Sequence, residues 1–566
     1  MFEMIITQKL LQLPECVLAL MSRTHMPGRI QILSGMAGPH LVATAVALWL
    51  LHSNIDYVER RQQGMTGGTL WLKMKDFRIL QVDIIGADQF SKVADTLDDL
   101  VRVEEPLLQY PFFYRPMYTV LEDGWGAFNP ETEFSRLVQP GDDWRISYVN
   151  KDFKVCPSYP CAVVVPKSIE DSDLVAISNF RQGGRFPVLT YRHEGSAVLL
   201  RSSQPQLSPN GKRCKEDERL LNCVLARDKR GYIIDTRSQN LTQSAKLRGG
   251  GGGGGGYEPE LHYPNWRRVH KPIDRHHILL DSLAKLMEGV NDVNSGMDKW
   301  LSRLESSGWM NNIKETLNVA CLVAQCLDQE GASVLVHDTD GVDSTLQITS
   351  LSQIILNADC RTVRGFEALI EREWIQAGYP FATRHSRSCY TPSSQRSSKN
   401  NSPSFLLFLD CVYQIYTQFS CSFEFGENFL LMLFEHSYSS QFGTFLGNNE
   451  GDRRRLKASE RTTSLWSFIN RPEVLPQYLN SMYEPNTSVI WPSVAPMSLQ
   501  LWNSVYLRWV VDQAPQEAAW SVVRELRERD QASRSRVARL RRQLADLERE
   551  AVAAGILTSP ATNNVL

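Results

Sequence analysis

The stretch VLVHDTDGVDST, residues 334–345, decides how this chain is read. Three branched or leucyl residues lead to a histidine, then to a turn rich in Asp and Gly, and then to STLQITSLSQIIL at helical spacing. That order predicts strand, loop and helix. Such a junction suits an anion, because a helix N-terminus offers unpaired N–H groups and the positive end of a dipole. Gly341 lets backbone approach closely. Yet the loop carries three carboxylates, Asp338, Asp340 and Asp343, and no cysteine, lysine or arginine. A pair of like charges about 4 Å apart at an effective dielectric near 20 is worth roughly 4 kcal/mol. The expectation is a phosphate-shaped loop that repels phosphate.

Outward from this loop, 566 residues exceed one hydrophobic core and imply two to four domains. A hydrophobic content of 42% with 13 Trp describes a folded chain, and a net charge of -2 gives no global pull toward nucleic acid. Eleven scattered cysteines without a CxxC pair fit neither a disulfide framework nor a zinc site and suit a reducing, cytoplasmic compartment. The longest uncharged apolar run, LVATAVALWLL (41–51), is short of the about 20 residues of a membrane span. No secretion signal is read in the first residues.

Residues 48–105 read as a small β unit closed by a helix. TLWLKMKDFRILQVDI alternates on both sides of Lys75 and Asp76 as a hairpin does, and Phe90, Val93, Ala94, Leu97, Leu100 and Val101 form one helical stripe. Residues 106–510 read as a larger domain, with a hairpin turning at Glu194 and Gly195 and a buried strand in RGYIIDTR. Helices are expected over 278–290, 313–327, 344–356 and 365–377. Two mobile loops are expected, around the eight glycines (247–256) and in the Ser-rich segment 384–404, a disordered loop or phosphorylation target. Residues 1–47 are unassigned, and 554–566 read as a disordered tail.

Residues 515–553 carry a heptad seam. Val523, Leu526, Val537, Leu540, Leu544 and Leu547 recur at spacings of three and four, which reads as a coiled coil. Its flanks hold Arg529, Arg534, Arg536 and Arg541. A parallel self-pair would set Arg529 against Arg534 and Arg536 against Arg541, so a partner with acidic flanks is favoured.

Ten stretches in order, among them KDFRILQVDI, YPFFYRP, WRISYVNKDFKVCPSYP, FRQGGRFPVLTYRH, VHDTDGVDSTLQITSLSQIIL, RTVRGFEALIEREWIQAGYPF and FGTFLGNNE, resemble the myotubularins, phosphoinositide 3-phosphatases. The resemblance implies an α+β and α/β multidomain chain: a partial PH-GRAM β domain, a cysteine-phosphatase-like α/β domain and a C-terminal coiled coil. Active members carry C-x-D-G-W-D-R in this loop. The cysteine attacks as thiolate and the arginine grips the phosphate. Here Asp338 stands at the cysteine position, Ser344 at the arginine position and Val342 at the tryptophan. Asp340, Gly341 and Asp343 match the pattern, Asp343 at the family's general acid, and His337 precedes the loop as an orienting residue.

The implied function is a pseudophosphatase adaptor without cofactor. It would pair through its coiled coil with active myotubularins of the six, seven and eight subgroup and raise their activity or stability. Phosphoinositide membranes are a further possible contact, nucleic acid is not, and the expected location is cytoplasmic, peripheral to endomembranes. Two other readings stand beside it: a phosphoinositide-binding scaffold without phosphatase partner, and a Mg-dependent phosphatase with Asp338 as nucleophile and Asp340 as acid/base, since VLVHDTDGV also fits a strand-end DxD motif. Cys321 and Cys326 read as core residues of a helix, and His276 and His277 as surface residues rather than metal ligands.

Overall fold

The computed structural model describes residues 20–21, 29–32, 50–101, 105–126, 129–135, 143–206, 213–247, 256–292, 296–392, 400–510 and 513–554. The glycine run except Gly256, the tail beyond 554 and most of 1–47 lie outside them.

Five strands form the first sheet: β1 (Leu20–Met21), β2 (Arg29–Ile32), β3 (Ile55–Gln62), β4 (Gly67–Met74) and β5 (Ile79–Ile85), in the order β1-β2-β5-β4-β3. The β4–β5 hairpin turns where the alternation predicts, with Lys73 opposite Ile79. Leu70, Leu72, Met74, Leu80, Val82 and Ile84 lie on one face, and α1 (Ala87–Val101) closes it with Phe90 and Ala94. The reading of 1–47 as unassigned needs one correction, since β2 pairs in parallel with β5 from Gln81 to Ile84 and covers an edge that would otherwise expose backbone.

The hairpin tip locks this sheet to the rest of the chain. Phe77, at a φ of 71°, enters the main core and stacks on Phe434 at 5.5 Å and Tyr506 at 5.9 Å. Buried Asp56 accepts hydrogen bonds from the N–H groups of Ser388, Tyr390 and Thr391 at 2.7, 2.8 and 3.0 Å, and from the Thr391 hydroxyl at 2.8 Å. The described ends of segment 384–404 depart from the mobile loop expected of its serines. They are ordered, with Arg384, His385, Ser388, Thr391, Asn401, Ser402 and Ser404 buried. The serines and threonine here satisfy backbone and carboxylate groups instead of solvent. Residues 393–399 lie outside the described set.

A two-stranded ribbon, β6 (Trp144–Ser147) with β7 (Val163–Pro166), precedes the main sheet. That sheet contains β8 (Val188–Arg192), β9 (Val198–Ser202), β10 (Gly231–Asp235), β11 (Trp266–His270) and β12 (Val334–His337), ordered β11-β10-β12-β9-β8. All neighbours run parallel except the β8–β9 hairpin. Central β12 is apolar on both faces, as buried parallel strands are. Val334 and Val336 face the larger core, and Leu335 faces a second one with Ile233, Val198 and Leu200.

Helices α2 (His276–Val290), α3 (Met297–Ser307), α4 (Trp309–Asp328), α5 (Ser344–Leu356), α6 (Val363–Ile370), α7 (Ser404–Gln418) and α8 (Glu427–Tyr438) build the larger core. All residues of α5 are buried, so its loop is held from behind by a helix packed on every side. The helix expected over 365–377 is interrupted, because α6 passes into a π-turn at Glu371–Ile375. The C-terminal α9 (Ala514–Ala553) is one continuous helix.

Candidate functional site

The loop between β12 and α5 emerges at the end of the central strand. His337 is buried beneath it. Its Nδ1 lies 3.2 Å from the Asp338 carbonyl and its Nε2 3.4 Å from Glu258 Oε2. Gly341 has a φ of 72°, and a Cβ there would meet the Ser202 carbonyl oxygen at 2.5 Å, so the loop passes too close to β9 for any side chain. Arg185 clasps it from outside, donating to the Gly341 carbonyl at 2.7 Å and to the Ala377 carbonyl at 2.9 Å.

The Asp338 side chain turns back into the loop. Its Oδ1 accepts the Gly341 N–H, and its Oδ2 accepts the Ser344 hydroxyl at 3.1 Å. The Asp338 N–H is spent on Thr345 Oγ1 at 2.9 Å, and Ser344 Oγ also lies 2.8 Å from Thr236 Oγ1. Two donors that a bound oxyanion would seek, the Gly341 N–H and the Ser344 hydroxyl, are thus already taken by a carboxylate of the loop itself. A carboxylate is also a poor stand-in for a thiolate, and here both its oxygens are engaged.

Asp343 does not face open solvent either. Arg384 grips it with Nη2 2.6 Å from Oδ2 and Nε 3.2 Å from Oδ1, and the Ser404 hydroxyl donates to Oδ1 at 2.9 Å. His276 Nδ1 stands 3.9 Å from Oδ2. Asp340 is pushed above the ordinary carboxylate range by burial first, then by Asp338 and Asp343, with Arg384 and Arg275 opposing. The loop's own residues include no lysine or arginine, as the sequence shows, but neighbouring elements bring cations to it. Arg384, Arg185 and Arg275 surround it, although Arg384 is committed to Asp343. Sequence reasoning missed Arg384 because it lies at the start of a segment read as disordered.

A buried ionic network supports the loop from below. Arg181 makes paired bonds to Asp217 at 2.8 and 2.6 Å and reaches Glu258 at 2.7 Å. Arg237 pairs with Asp235 at 2.9 and 2.7 Å, and Arg268 reaches the same carboxylate at 2.6 Å. Burial disfavours the Glu258 charge, but His337 and Arg181 outweigh it and hold this carboxyl well below its usual range. Every charge in this network has its counterpart, and the network lies buried beneath the loop.

Of the other candidates, only His276 approaches the loop, through Asp343. Burial pushes the Cys321 thiol up to about 11, and burial with nearby Glu330 pushes Cys326 up to about 12, so both stay protonated on α4. His276 and His277 stack edge to face at the start of α2, at 5.6 Å. Among the described residues no group of three or more His, Cys, Asp or Glu is placed to hold a metal.

The heptad residues lie on α9. Ala519 and Gln516 are buried at its start, and Arg527 donates to the Leu499 carbonyl at 2.5 Å. Beyond that anchor the seam is open: Val537, Leu540, Leu544 and Leu547 are 47–62% exposed, and Leu526 is 51% exposed. Val523 is half-buried. The flanking arginines differ from the sequence expectation in one respect. Arg529 pairs with Glu525 and Arg534 with Asp530 one turn back, which softens their mutual repulsion. Among the described residues no carboxylate pairs with Arg536 or Arg541. No helix among the described residues is long and apolar enough to cross a membrane.

The family profile described as Myotubularin-like phosphatase domain matches residues 109–454. Myotubularin-related protein 9 of Bos taurus is 54% identical over 521 residues, spanning 91% of this chain and 93% of that protein. The protein of the same name in Caenorhabditis elegans is 40% identical over 532 residues, 91% of each chain. Human phosphatidylinositol-3,5-bisphosphate 3-phosphatase MTMR6 is 33% identical over 509 residues, 88% of this chain and 79% of that one.

Proposed function

Because the chain belongs to the myotubularin family, we propose that it is a catalytically inactive member, an adaptor that pairs with an active phosphoinositide 3-phosphatase and raises its activity or stability. The observation that supports this most is the Asp338 carboxylate, standing where the family pattern has its attacking sulfur and bound to the Gly341 N–H and the Ser344 hydroxyl. Phosphoester hydrolysis by this route needs a nucleophile and a guanidinium to stabilise the transferring phosphoryl group. Neither the cysteine nor the arginine of that route occurs in 338–344.

The pairing element is the open seam of α9, acting as a coiled coil. Leu540, Leu544 and Leu547 would each remove about 1.5–3 kcal/mol of apolar exposure on burial, and Arg536 and Arg541 favour acidic flanks in the partner. Relatives whose names declare phosphatase activity on phosphatidylinositol 3-phosphate or its 3,5-bisphosphate, such as human MTMR7, MTMR6 and MTMR8, are the partner class this reading nominates. Binding would stabilise the partner by mass action. The first sheet with α1 is the PH-GRAM-like unit of the reading, and a peripheral position on endomembranes follows from the partner's lipid substrate.

The test is co-expression with each of the three phosphatases, comparing the full chain, a chain ending at 513, and Leu540→Asp/Leu544→Asp. The full chain should co-purify and raise turnover of phosphatidylinositol 3-phosphate, and both altered chains should not. Lipid hydrolysis by the purified chain alone, lost in Asp338→Asn, would overturn the assignment.

A further inference from the structure

A cleft of about 720 Å³ shares no lining residue with the β12–α5 loop. That volume falls in the range of small-molecule sites, about 300–1,000 Å³. Trp125 and Tyr148 supply aromatic walls, Lys151, Arg453 and Arg454 supply cations, Glu371 opens the π-turn following α6, and Gln376 is the residue that closes it. Single π-turns inside helices recur at functional sites, because the extra residue re-aims side chains that a regular helix would point elsewhere.

The polar ends of the two rings are already fixed. Trp125 Nε1–H donates to the Thr462 carbonyl at 3.1 Å, and the Tyr148 hydroxyl donates to Glu131 at 2.8 Å. What remains for the cleft is ring surface in a set orientation, the arrangement that stacks on a planar group at low entropic cost.

The charges are unequal in availability. Glu450 is engaged by Arg454 and by the Cys161 N–H at 3.1 Å. Glu371 accepts from Trp466 Nε1 at 2.7 Å, and burial raises its carboxyl above the ordinary range despite Arg453, which favours the protonated form. Burial also lowers Arg453 from its usual value, with Glu371 and Glu450 compensating only in part. Among the described residues its guanidinium makes one hydrogen bond, from Nη1 to the Thr444 carbonyl, and that bond is 3.3 Å long. The Lys151 ammonium has no partner among the described residues. Two cations short of compensation therefore face the cleft.

We propose that this cleft binds a small organic phosphate carrying a planar ring, of the nucleotide class. Lys151 and Arg453 meet the phosphate oxygens, Trp125 and Tyr148 flank the ring, and the Gln376 amide reads its polar edge. The same phosphate chemistry could come from a lipid headgroup, which lacks a ring, so the two sources separate experimentally.

The experiment is calorimetric titration of the full chain with ADP, inositol 1,3-bisphosphate and inorganic phosphate, repeated on Lys151→Glu and Asp338→Asn. ADP should bind, about tenfold or more tighter than either ring-free probe. Lys151→Glu, an exposed change, should weaken ADP by about tenfold or more at unchanged melting temperature. Asp338→Asn, in the loop already described, should leave ADP binding as it was. No ADP binding at about 1 mM, binding indifferent to Lys151→Glu, or inositol 1,3-bisphosphate binding as tightly as ADP would each overturn the proposal. None of these outcomes bears on the adaptor reading.

Discussion

Replacing Asp338 by serine should turn the loop into an anion receptor. In the native loop its carboxylate takes the Gly341 N–H and the Ser344 hydroxyl. An incoming oxyanion competing for those donors would come within about 4 Å of it, where one pair of like charges at an effective dielectric near 20 is worth roughly 4 kcal/mol, close to a thousandfold in affinity. Solvent screening reduces that figure, and about thirtyfold is a conservative floor. Of the remaining carboxylates, Asp343 is held by Arg384, and Asp340 has Arg384 and Arg275 opposing its charge. Losing two hydrogen bonds within the loop should lower stability by about 1–3 kcal/mol, which urea unfolding would register. The assay is titration with orthovanadate at neutral pH, parent against Asp338→Ser. A folded variant that binds vanadate no better than the parent would refute the idea that this carboxylate occupies the cradle. Hydrolysis should stay absent, because serine in this position lacks an activating base.

Asp56→Ala should strip acceptors from three N–H groups and one hydroxyl at a buried joint and destabilise the chain by about 3–5 kcal/mol, read as a fall in urea midpoint. A change below about 1 kcal/mol would mean that the joint is held by its other contacts, Phe77 in the main core and Trp509 on Asp76 and Arg78. Stability should also fall as pH rises. Burial raises the Glu367 carboxyl from 4.5 to about 8, so the folded state binds that proton more tightly than the unfolded one. Its contribution is complete below about pH 4.5 and is lost as pH climbs through about 8, with a linkage ceiling near 5 kcal/mol. Glu367→Gln should flatten that decline in unfolding curves taken across the window, and an unchanged slope would count against the assignment.

What the sequence disclosed and what it hid follow from the range of the interactions. The β12–loop–α5 junction, the two hairpins and the stripe of α1 are local patterns, written in residues two to four positions apart, and the structure places them where those periods predict. Arg384 and Asp56 reach partners far along the chain, Asp343 and the 388–391 turn. No periodicity announces such pairs. Composition misled at the described ends of 384–404, where Ser388, Thr391, Ser402 and Ser404 are buried although Ser and Thr indicate solvent by frequency. The π-turn at Glu371–Ile375 was equally invisible, because REWIQ reads as ordinary amphipathic helix.

The anchoring of α9 at only one end has a mechanical consequence. Side chains 531–550 are all exposed, and the helix extends about 40 Å past Arg527 at 1.5 Å per residue. It stands out from the body as a boom, stiff along its length and clamped at its root. A molecule coupled to the far half would be held at a preset distance and heading from the main sheet, so shortening α9 by whole heptads should swing that cargo inward without altering the chemistry of the grip.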